Sequence, residues 1–377
     1  ALHIFERLEE ASSHNPGTNL DHKRKAMDPF YVIYTSGSTG QPKGAVLCEG
    51  NVINLLNWYL QEYAFSKEDR HLLVSALGFD LTQKNLYAPL CSGGAVVFPE
   101  TDHYVPDQLV DSIERHRVTV INGAPSVLYP ILENEPHRIP SLRLILFGGE
   151  RVELGRLKPW LEYSGSRADI VNMYGPTECT DIATSFRLTI EEAKEWFGRG
   201  DELPIGHAIS NVQLYVLNRY GVPVPAGEEG ELYIAGAGVG SGYINREDLT
   251  SDVFIDNPFG DGKLYRTGDR VSWLEEGVLL HLGRVDFQVK LRGLRIELGE
   301  IEVALRCERT VEDAVTLVVD DRLAGFVLGE VTQGWRERLN ARLPDYMIPA
   351  VLVGHDHWPP SPNGKIDREA LRRLSRE

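Results

Sequence analysis

The sequence predicts an α/β protein: a large N-terminal domain with mostly parallel sheets flanked by helices plus a small β-barrel-like part, followed by a small α+β C-terminal domain. Three observations predict it. Apolar runs of strand length alternate with segments of helical period through residues 31–174, the pattern of a parallel sheet with crossover helices. From Gln213 the texture changes to short strands between Gly and Pro turns, which reads as an antiparallel sheet or small barrel. After Gly283-Arg284-Val285-Asp286 the rest of the chain reads as an α+β unit of about 90 residues, an ordinary domain size. The boundary is placed at Asp286, giving a large domain over 1–285 and a small one over 286–377.

Residues 1–29 begin apolar and charged and then turn polar, reading as a strand or helix end followed by a loop. Tyr31–Tyr34 reads as a short buried strand. It runs into Thr35-Ser36-Gly37-Ser38-Thr39-Gly40-Gln41-Pro42-Lys43-Gly44, where side chains shrink to hydroxyls and hydrogens. Asn51–Tyr63 has helical spacing, with Asn51 as its N-cap. His71–Ser75 is strand-like and delivers Phe79-Asp80-Leu81-Thr82 at its end. Gly94–Phe98, Val118–Ile121, Leu142–Phe147 and Ile170–Met173 follow as strands, with a helix over Val105–Arg117. Each ends in a loop of small or polar residues, and in parallel sheets ligands collect outside such strand ends. Beyond them, Gln213–Leu217, Gly230–Ile234, Leu264–Asp269 and Val278–His281 are short strands. A charged hairpin-like stretch, a helix over Leu298–Arg306, strands over Ala314–Val319 and Ala324–Leu328, and a helix over Trp335–Leu343 complete the C-terminal unit.

Composition narrows the function. The chain has 377 residues, 42% hydrophobic and 25% charged, as expected of a globular protein. A formal charge of −16 argues against a general nucleic-acid or anionic-membrane binder, while leaving room for a local phosphate pocket. Cys48, Cys91, Cys179 and Cys307 are scattered, without metal-ligand spacing or a disulfide framework, so a cytoplasmic setting is expected. The first residues do not read as a secretory signal, and no run reaches membrane-spanning length.

The segment Thr35–Gly44 holds three Gly, four Ser/Thr, a Pro and a Lys directly after an apolar strand. A backbone this bare can curl around an anion, point its N–H groups inward and add hydroxyl donors, with Lys43 supplying charge. It is not the standard G-x-x-x-x-G-K-[ST] loop, because Lys43 follows a proline and precedes Gly44. Other polar residues stand out at strand ends, helix starts and turns: Asp80, Glu178 in Tyr174-Gly-Pro-Thr-Glu178, Asp269, Arg284 and Lys365. Taken singly, each is equally an ordinary cap, turn or solvated residue.

Together they follow one order. YTSGSTGQPKG, FDLT, NMYGPTE, GELYIAGAGVGSGY, YRTGD, GRVDFQVKLRGLRIELGEIE and NGKID resemble, along about residues 28–368, the adenylation domains of nonribosomal peptide synthetases, a branch of the adenylate-forming enzymes that also include acyl-CoA synthetases and luciferases. Phe79-Asp80 and the QVKLRGLRIELGEIE wording favour that branch. Thr82 stands where Ser is common, a mild departure.

The resemblance implies that ATP and an amino acid give an aminoacyl-adenylate and pyrophosphate, and that the acyl group then passes to the phosphopantetheine thiol of a peptidyl carrier protein. It implies that Thr35, Ser36, Gly37, Ser38, Thr39, Gly40 and Lys43 hold the β- and γ-phosphates, and that Glu178 binds Mg²⁺. Tyr174 would stack on adenine with Gly149, Asn172 and Thr177 nearby, while Asp269 and Arg284 hold the ribose. Lys365 would contact the reacting oxygens during adenylation, and Asp286 would be the hinge that lets the C-terminal unit present two faces. Asp80 would pair with the substrate's α-ammonium group. The pocket positions fall on Leu81, Lys84, Asn122, Leu146, Gly148, Met173, Asp181 and Ile182.

Lys84, Asn122 and Asp181 must pair with one another or with the substrate, because buried unpaired polar groups cost several kcal/mol. A polar substrate is therefore expected. If Lys84 and Asp181 pair, a neutral side chain such as an amide, ureido or hydroxyl group fits best. The family has a substantial N-terminal part of the large domain ahead of the phosphate loop, so the large domain here is expected to be N-terminally truncated or completed by another polypeptide. Some relatives require a small MbtH-like activator. The rival readings are a stand-alone acid-CoA ligase and a non-catalytic nucleotide- or amino-acid-binding module.

Overall fold

A computed structural model of the chain describes residues 23–36, 42–99, 104–163, 165–197, 203–274, 277–286, 288–359 and 366–374. Gly37, Ser38, Thr39, Gly40 and Lys365 lie outside the described residues.

Strands β1 (Pro29–Thr35) and β2 (Lys43–Cys48) pair antiparallel, with Thr35 opposite Lys43. Both ends of the phosphate-loop segment are thereby held side by side. The expectation of a buried strand over Tyr31–Tyr34 is corrected here. β1 is the edge of a separate three-stranded sheet, so only Ile33 is buried while Val32 and Tyr34 stay exposed. The helix Glu49–Glu62 follows, and its N-cap is Cys48 rather than Asn51. Asn51 instead sits in the first turn, accepts the Cys48 N–H at 2.8 Å and donates to the carbonyls of Ala237 and Val239 at 2.8 and 3.0 Å.

The main sheet contains β3 (Arg70–Leu73), β4 (Ala95–Val97), β5 (Val120–Gly123), β6 (Leu144–Gly148), β7 (Asp169–Tyr174), β8 (Thr184–Leu188) and β9 (His207–Ala208), in the order β4-β3-β5-β6-β7-β8-β9. The first five are mutually parallel; β8 and β9 are antiparallel. Burial on both faces explains the continuous apolar runs. In β6, Leu144 and Leu146 face a core shared with Val171, Met173 and Tyr59, while Ile145 and Phe147 face a second core with Ile113, Leu128 and Trp160. Truncating Phe147 to alanine would cost about 3–5 kcal/mol. The helix Asp80–Ser92 begins beyond β3 at the same sheet edge where β5, β6 and β7 end.

The antiparallel part contains β10 (Val212–Leu217), β11 (Glu229–Gly236), β12 (Gly242–Tyr243), β13 (Phe254–Asp256), β14 (Lys263–Trp273) and β15 (Leu279–Arg284). Five of these form a sheet in the order β10-β11-β14-β13 with β15 also on β14, while β12 joins β2. Among the described residues this sheet is open, with no pairing that closes it into a barrel. The length of β14 lets its far half pair with β15, which sets Asp269 opposite Arg284.

Strands β16 (Gln288–Leu291) and β17 (Leu294–Glu297) form a hairpin. Its two turn residues, Arg292 and Gly293, have φ of 54° and 75°, the signs of a type I′ turn. The register puts Gln288, Lys290, Arg295 and Glu297 on one face and Val289, Leu291, Leu294 and Ile296 on the other. The apolar face packs into a core with the helix Leu298–Arg306 and strands β18 (Val311–Val319), β19 (Arg322–Gly329) and β20 (Val351–His355). No helix among the described residues is long and apolar enough to cross a membrane.

Candidate active site

A cavity of about 340 Å³ opens where the ends of β5, β6 and β7, the start of the helix Asp80–Ser92 and the polar face of the β16–β17 hairpin meet. Its size suits a small ligand. A neighbouring cavity of about 520 Å³ runs past Gly149, Asn172 and Tyr174 to Asp269, His281, Arg284 and Asp286.

Asp80 is not at a strand end, as the sequence suggested; it opens the helix Asp80–Ser92, where a carboxylate suits the first turn. That placement sets Asp80, Leu81 and Lys84 on one helical face toward the cavity. Asp80 accepts the Leu81 N–H at 2.8 Å and the Thr177 hydroxyl. Lys84 is completely buried, and its Nζ donates to Asp181 Oδ2 at 2.5 Å and to the Leu81 carbonyl at 3.3 Å. Burial pushes the Asp181 carboxyl up to about 6, against the charge of Lys84 and with a contribution from Asp80. Leu81, Gly148, Met173 and Ile182 also line the cavity.

Asn122 and Leu146 do not line it. Asn122 lies behind the wall, donating to the Leu146 carbonyl at 2.9 Å and accepting from Asn85 at 2.8 Å. Its two bonds account for its burial without a ligand.

Glu178 sits in a single turn, Thr177–Cys179, beyond β7 and is fully buried. The Tyr243 hydroxyl donates to Oε1 at 2.6 Å, Arg295 Nη1 to Oε2 at 2.8 Å, and Lys43 Nζ lies 3.7 Å away. Burial alone would raise its pKa, but Arg295 and then Lys43 pull it down to about 2. Ser36 donates to the Arg295 carbonyl at 2.8 Å and accepts the Glu297 N–H at 3.3 Å, so the described end of the phosphate-loop segment is tied to the hairpin. Thr35 donates to the Lys43 carbonyl at 3.5 Å.

At the second cavity Tyr174 donates its hydroxyl to Asp269 Oδ2 at 2.5 Å. Arg284 reaches Asp269 Oδ1 at 2.8 Å, and His281 Nε2 lies 3.3 Å from the same oxygen. Burial would raise the Asp269 pKa, yet the His281 hydrogen bond and the Arg284 charge hold it well below the usual carboxylate range. Arg284 also grips Asp286 through two bonds of 2.7 Å. Asn172 donates to the carbonyls of Leu203 and Pro204 at 3.3 and 2.8 Å, fixing the cavity wall. Gly149, at φ +84°, lies against Gly293 of the hairpin turn. Neighbouring Glu150 accepts the Gly293 N–H at 2.6 Å.

Several site residues escaped the sequence reading: Tyr243, Arg295, Lys290, Glu150 and His281. Lys290 places its Nζ 5.2 Å from the Tyr174 ring centroid. Alternation in QVKL and LRIE around Arg-Gly was the available signal for Lys290 and Arg295, since it assigns both to the face opposite the apolar one. Nothing local marks Tyr243, which reaches Glu178 only through the pairing of β12 with β2.

An antiparallel hairpin flanking the Thr35–Gly44 segment, a cavity at parallel strand ends lined by Asp80, Lys84 and Asp181, and a buried carboxylate beside two cations mark the site of this α/β protein. The chain belongs to the AMP-binding enzyme family, whose model matches residues 3–244. It is 39% identical over 364 residues to a dimodular nonribosomal peptide synthase of Bacillus subtilis (strain 168), covering 94% of this chain and 15% of that protein. It is 37% identical over 367 residues to gramicidin S synthase 2 of Aneurinibacillus migulanus, covering 94% of this chain and 8% of that one. The chain therefore spans only a small part of these relatives' length.

Among solved structures, the Vibrio cholerae adenylation domain AlmE in complex with glycyl-adenosine-5′-phosphate matches with a TM-score of 0.82 and 28% identity, over 95% of this chain and 68% of that one. PA1221, a nonribosomal peptide synthetase protein containing adenylation and carrier (PCP) domains, matches with a TM-score of 0.83 and 27% identity, over 96% and 63%. The resemblance read from the motifs and the α/β fold class thus hold.

Proposed function

We propose that the chain activates an amino acid with a neutral polar side chain, using ATP to form the aminoacyl-adenylate and release pyrophosphate, and then passes the acyl group to the phosphopantetheine thiol of a peptidyl carrier protein. The observation that carries this reading is the pairing of Lys84 with Asp181 beneath Asp80. Asp80 faces the cavity and supplies the charge that an α-ammonium group needs. Deeper in, the two opposite charges satisfy each other. A cationic or anionic side chain would have to break that pair, whereas an amide, ureido or hydroxyl group can share its remaining hydrogen-bonding capacity.

In this reading the substrate carboxylate attacks the α-phosphorus of ATP and pyrophosphate departs. Lys43, Thr35 and Ser36, with Gly37, Ser38, Thr39 and Gly40 of the undescribed segment, cradle the leaving phosphates. Asp269 and Arg284 hold the ribose, Tyr174 and Gly149 flank the adenine with Asn172 and Thr177 nearby, and Lys365 stabilises the charge on the reacting oxygens. A lone buried carboxylate beside a phosphate loop suits Mg²⁺, which is bound largely through substrate phosphates and water; Glu178 would hold it, and it would neutralise phosphate charge.

Division of the chain at Asp286 belongs to the same proposal. It is supported by the separate apolar core around Ile296, Leu305, Val327 and Leu339. Rotation about Asp286 would let the C-terminal unit present one face for adenylation and another for thioester formation. The test is amino-acid-dependent exchange of labelled pyrophosphate into ATP over a broad amino-acid panel, run with and without an MbtH-like activator. Exchange should be strongest with amide, ureido or hydroxyl side chains. Exchange only with lysine-like or aspartate-like substrates would overturn the side-chain assignment, and none with any amino acid would overturn the activity.

A further inference from the structure

The polar face of the β16–β17 hairpin reaches the residues that would receive the metal and the phosphates. Both carboxylate oxygens of Glu178 are engaged, one by Tyr243 and the other by Arg295. Ser36 is bonded to the main chain of Arg295 and Glu297. Two residues of one strand thus cover the carboxylate and a hydroxyl of the phosphate-loop segment at once.

We propose that Arg295 is an intramolecular counterion that takes the seat of the divalent cation at Glu178, so that hairpin docking and binding of the metal with the pyrophosphate end of ATP exclude each other. The proposal rests on the reading of Glu178 as the metal-holding carboxylate.

Charge supports the exclusion. Lys43 and Arg295 together already exceed the single charge of Glu178, and a divalent cation added beside them would meet repulsion in a buried site. When the metal arrives with phosphates, their oxygens need the Ser36 hydroxyl that the hairpin now holds. Arg295 must therefore withdraw for the loaded nucleotide to enter. Its withdrawal carries the whole hairpin, because Ile296 on the opposite face is anchored in the C-terminal core with Val289, Leu291 and Leu294 packed against it. Metal loading at Glu178 is thereby linked to the position of the C-terminal unit. After pyrophosphate and metal leave, Arg295 supplies the counter-charge that the buried Glu178 carboxylate requires.

The test measures Mn²⁺ binding by electron paramagnetic resonance in the presence of an α,β-methylene ATP analogue, on the full chain and on Arg295→Ala, Arg295→Lys and Glu178→Gln. Arg295→Ala should bind the Mn²⁺-analogue complex roughly tenfold tighter, equivalent to about 1.4 kcal/mol, with Arg295→Lys between it and the unmodified chain. Glu178→Gln should bind at least tenfold more weakly. Unchanged or weaker binding in Arg295→Ala, with the loss in Glu178→Gln intact, would overturn the counterion and leave the metal seat standing. An unaffected Glu178→Gln would overturn the metal seat itself.

A second measurement needs no variant. Arg295 is only 17% exposed, so tryptic cleavage after it requires the hairpin to leave. The Mn²⁺-analogue complex should accelerate that cleavage several-fold, and the analogue without metal should not. Equal rates in both cases would overturn the linkage.

Discussion

Replacing Lys84 with methionine tests the electrostatics of the substrate cavity. Its ammonium group is buried and lies 2.5 Å from Asp181 Oδ2, which is itself only 9% exposed. Removing one partner leaves a buried, uncompensated carboxylate, and such losses run to about 3–5 kcal/mol. The carboxyl of Asp181 already stands at about 6 instead of 3.8, a penalty of about 3 kcal/mol on its ionised form. Because this folded-state pKa is raised, the group's favourable contribution is complete below about pH 3.8 and is lost as pH rises through about 6. Without Lys84 the pKa rises further. The destabilisation of Lys84→Met should therefore be greatest near pH 8 and fall by at least half near pH 5, where the carboxyl is neutral. Urea unfolding followed by tryptophan fluorescence measures both, and Lys84→Met combined with Asp181→Asn should recover much of the loss near pH 8. A loss equal at the two pH values, or below about 1 kcal/mol at the higher one, would refute the buried pair.

Three other outcomes follow. Asp80→Ala should lower amino-acid-dependent pyrophosphate exchange at least 100-fold, about 2.7 kcal/mol, while leaving ATP binding unchanged; equal loss of ATP binding would point to a folding role. Glu178 has its pKa lowered from 4.5 to about 2, so its contribution of about 3 kcal/mol is present above about pH 4.5 and lost as pH falls through about 2. Glu178→Gln should flatten the acid-unfolding curve across that window, and an unchanged curve would contradict the pairing. Gly293 has φ +75°, and a Cβ there would stand 2.8 Å from that of Ala124, so Gly293→Val should hinder hairpin docking. Pyrophosphate exchange should persist while transfer to a carrier thiol falls; loss of both steps together would count against a docking role.

Much of the fold was legible because its strands are buried on two faces. Leu142–Phe147 and Ile170–Met173 announce themselves by apolar runs that a parallel sheet requires, and β6 and β7 lie there. The edge strand β1 misled for the complementary reason: Tyr31-Val-Ile-Tyr34 is apolar, yet it has no neighbour on one side among the described residues. Motif order singled out Asp80, Asp269 and Arg284, which the fold places in cavity walls, and Glu178, which it buries nearby beside Lys43 and Arg295. Contacts between distant segments were not legible. Arg295 meets Glu178 across 117 residues and Tyr243 meets it across 65, so neither partner could be read from local pattern. Asn122, a pocket position by resemblance, is bonded to Asn85 and the Leu146 carbonyl behind the cavity wall, contacts that motif order does not show.

Direct detection of the aminoacyl-adenylate tests the central claim most closely. The full chain, incubated with ATP, Mg²⁺, inorganic pyrophosphatase and a mixture of amino acids, is quenched and examined by mass spectrometry. The account predicts an adenylate of an amino acid bearing an amide, ureido or hydroxyl side chain. Adenylates formed only from acids lacking an α-amino group would contradict it.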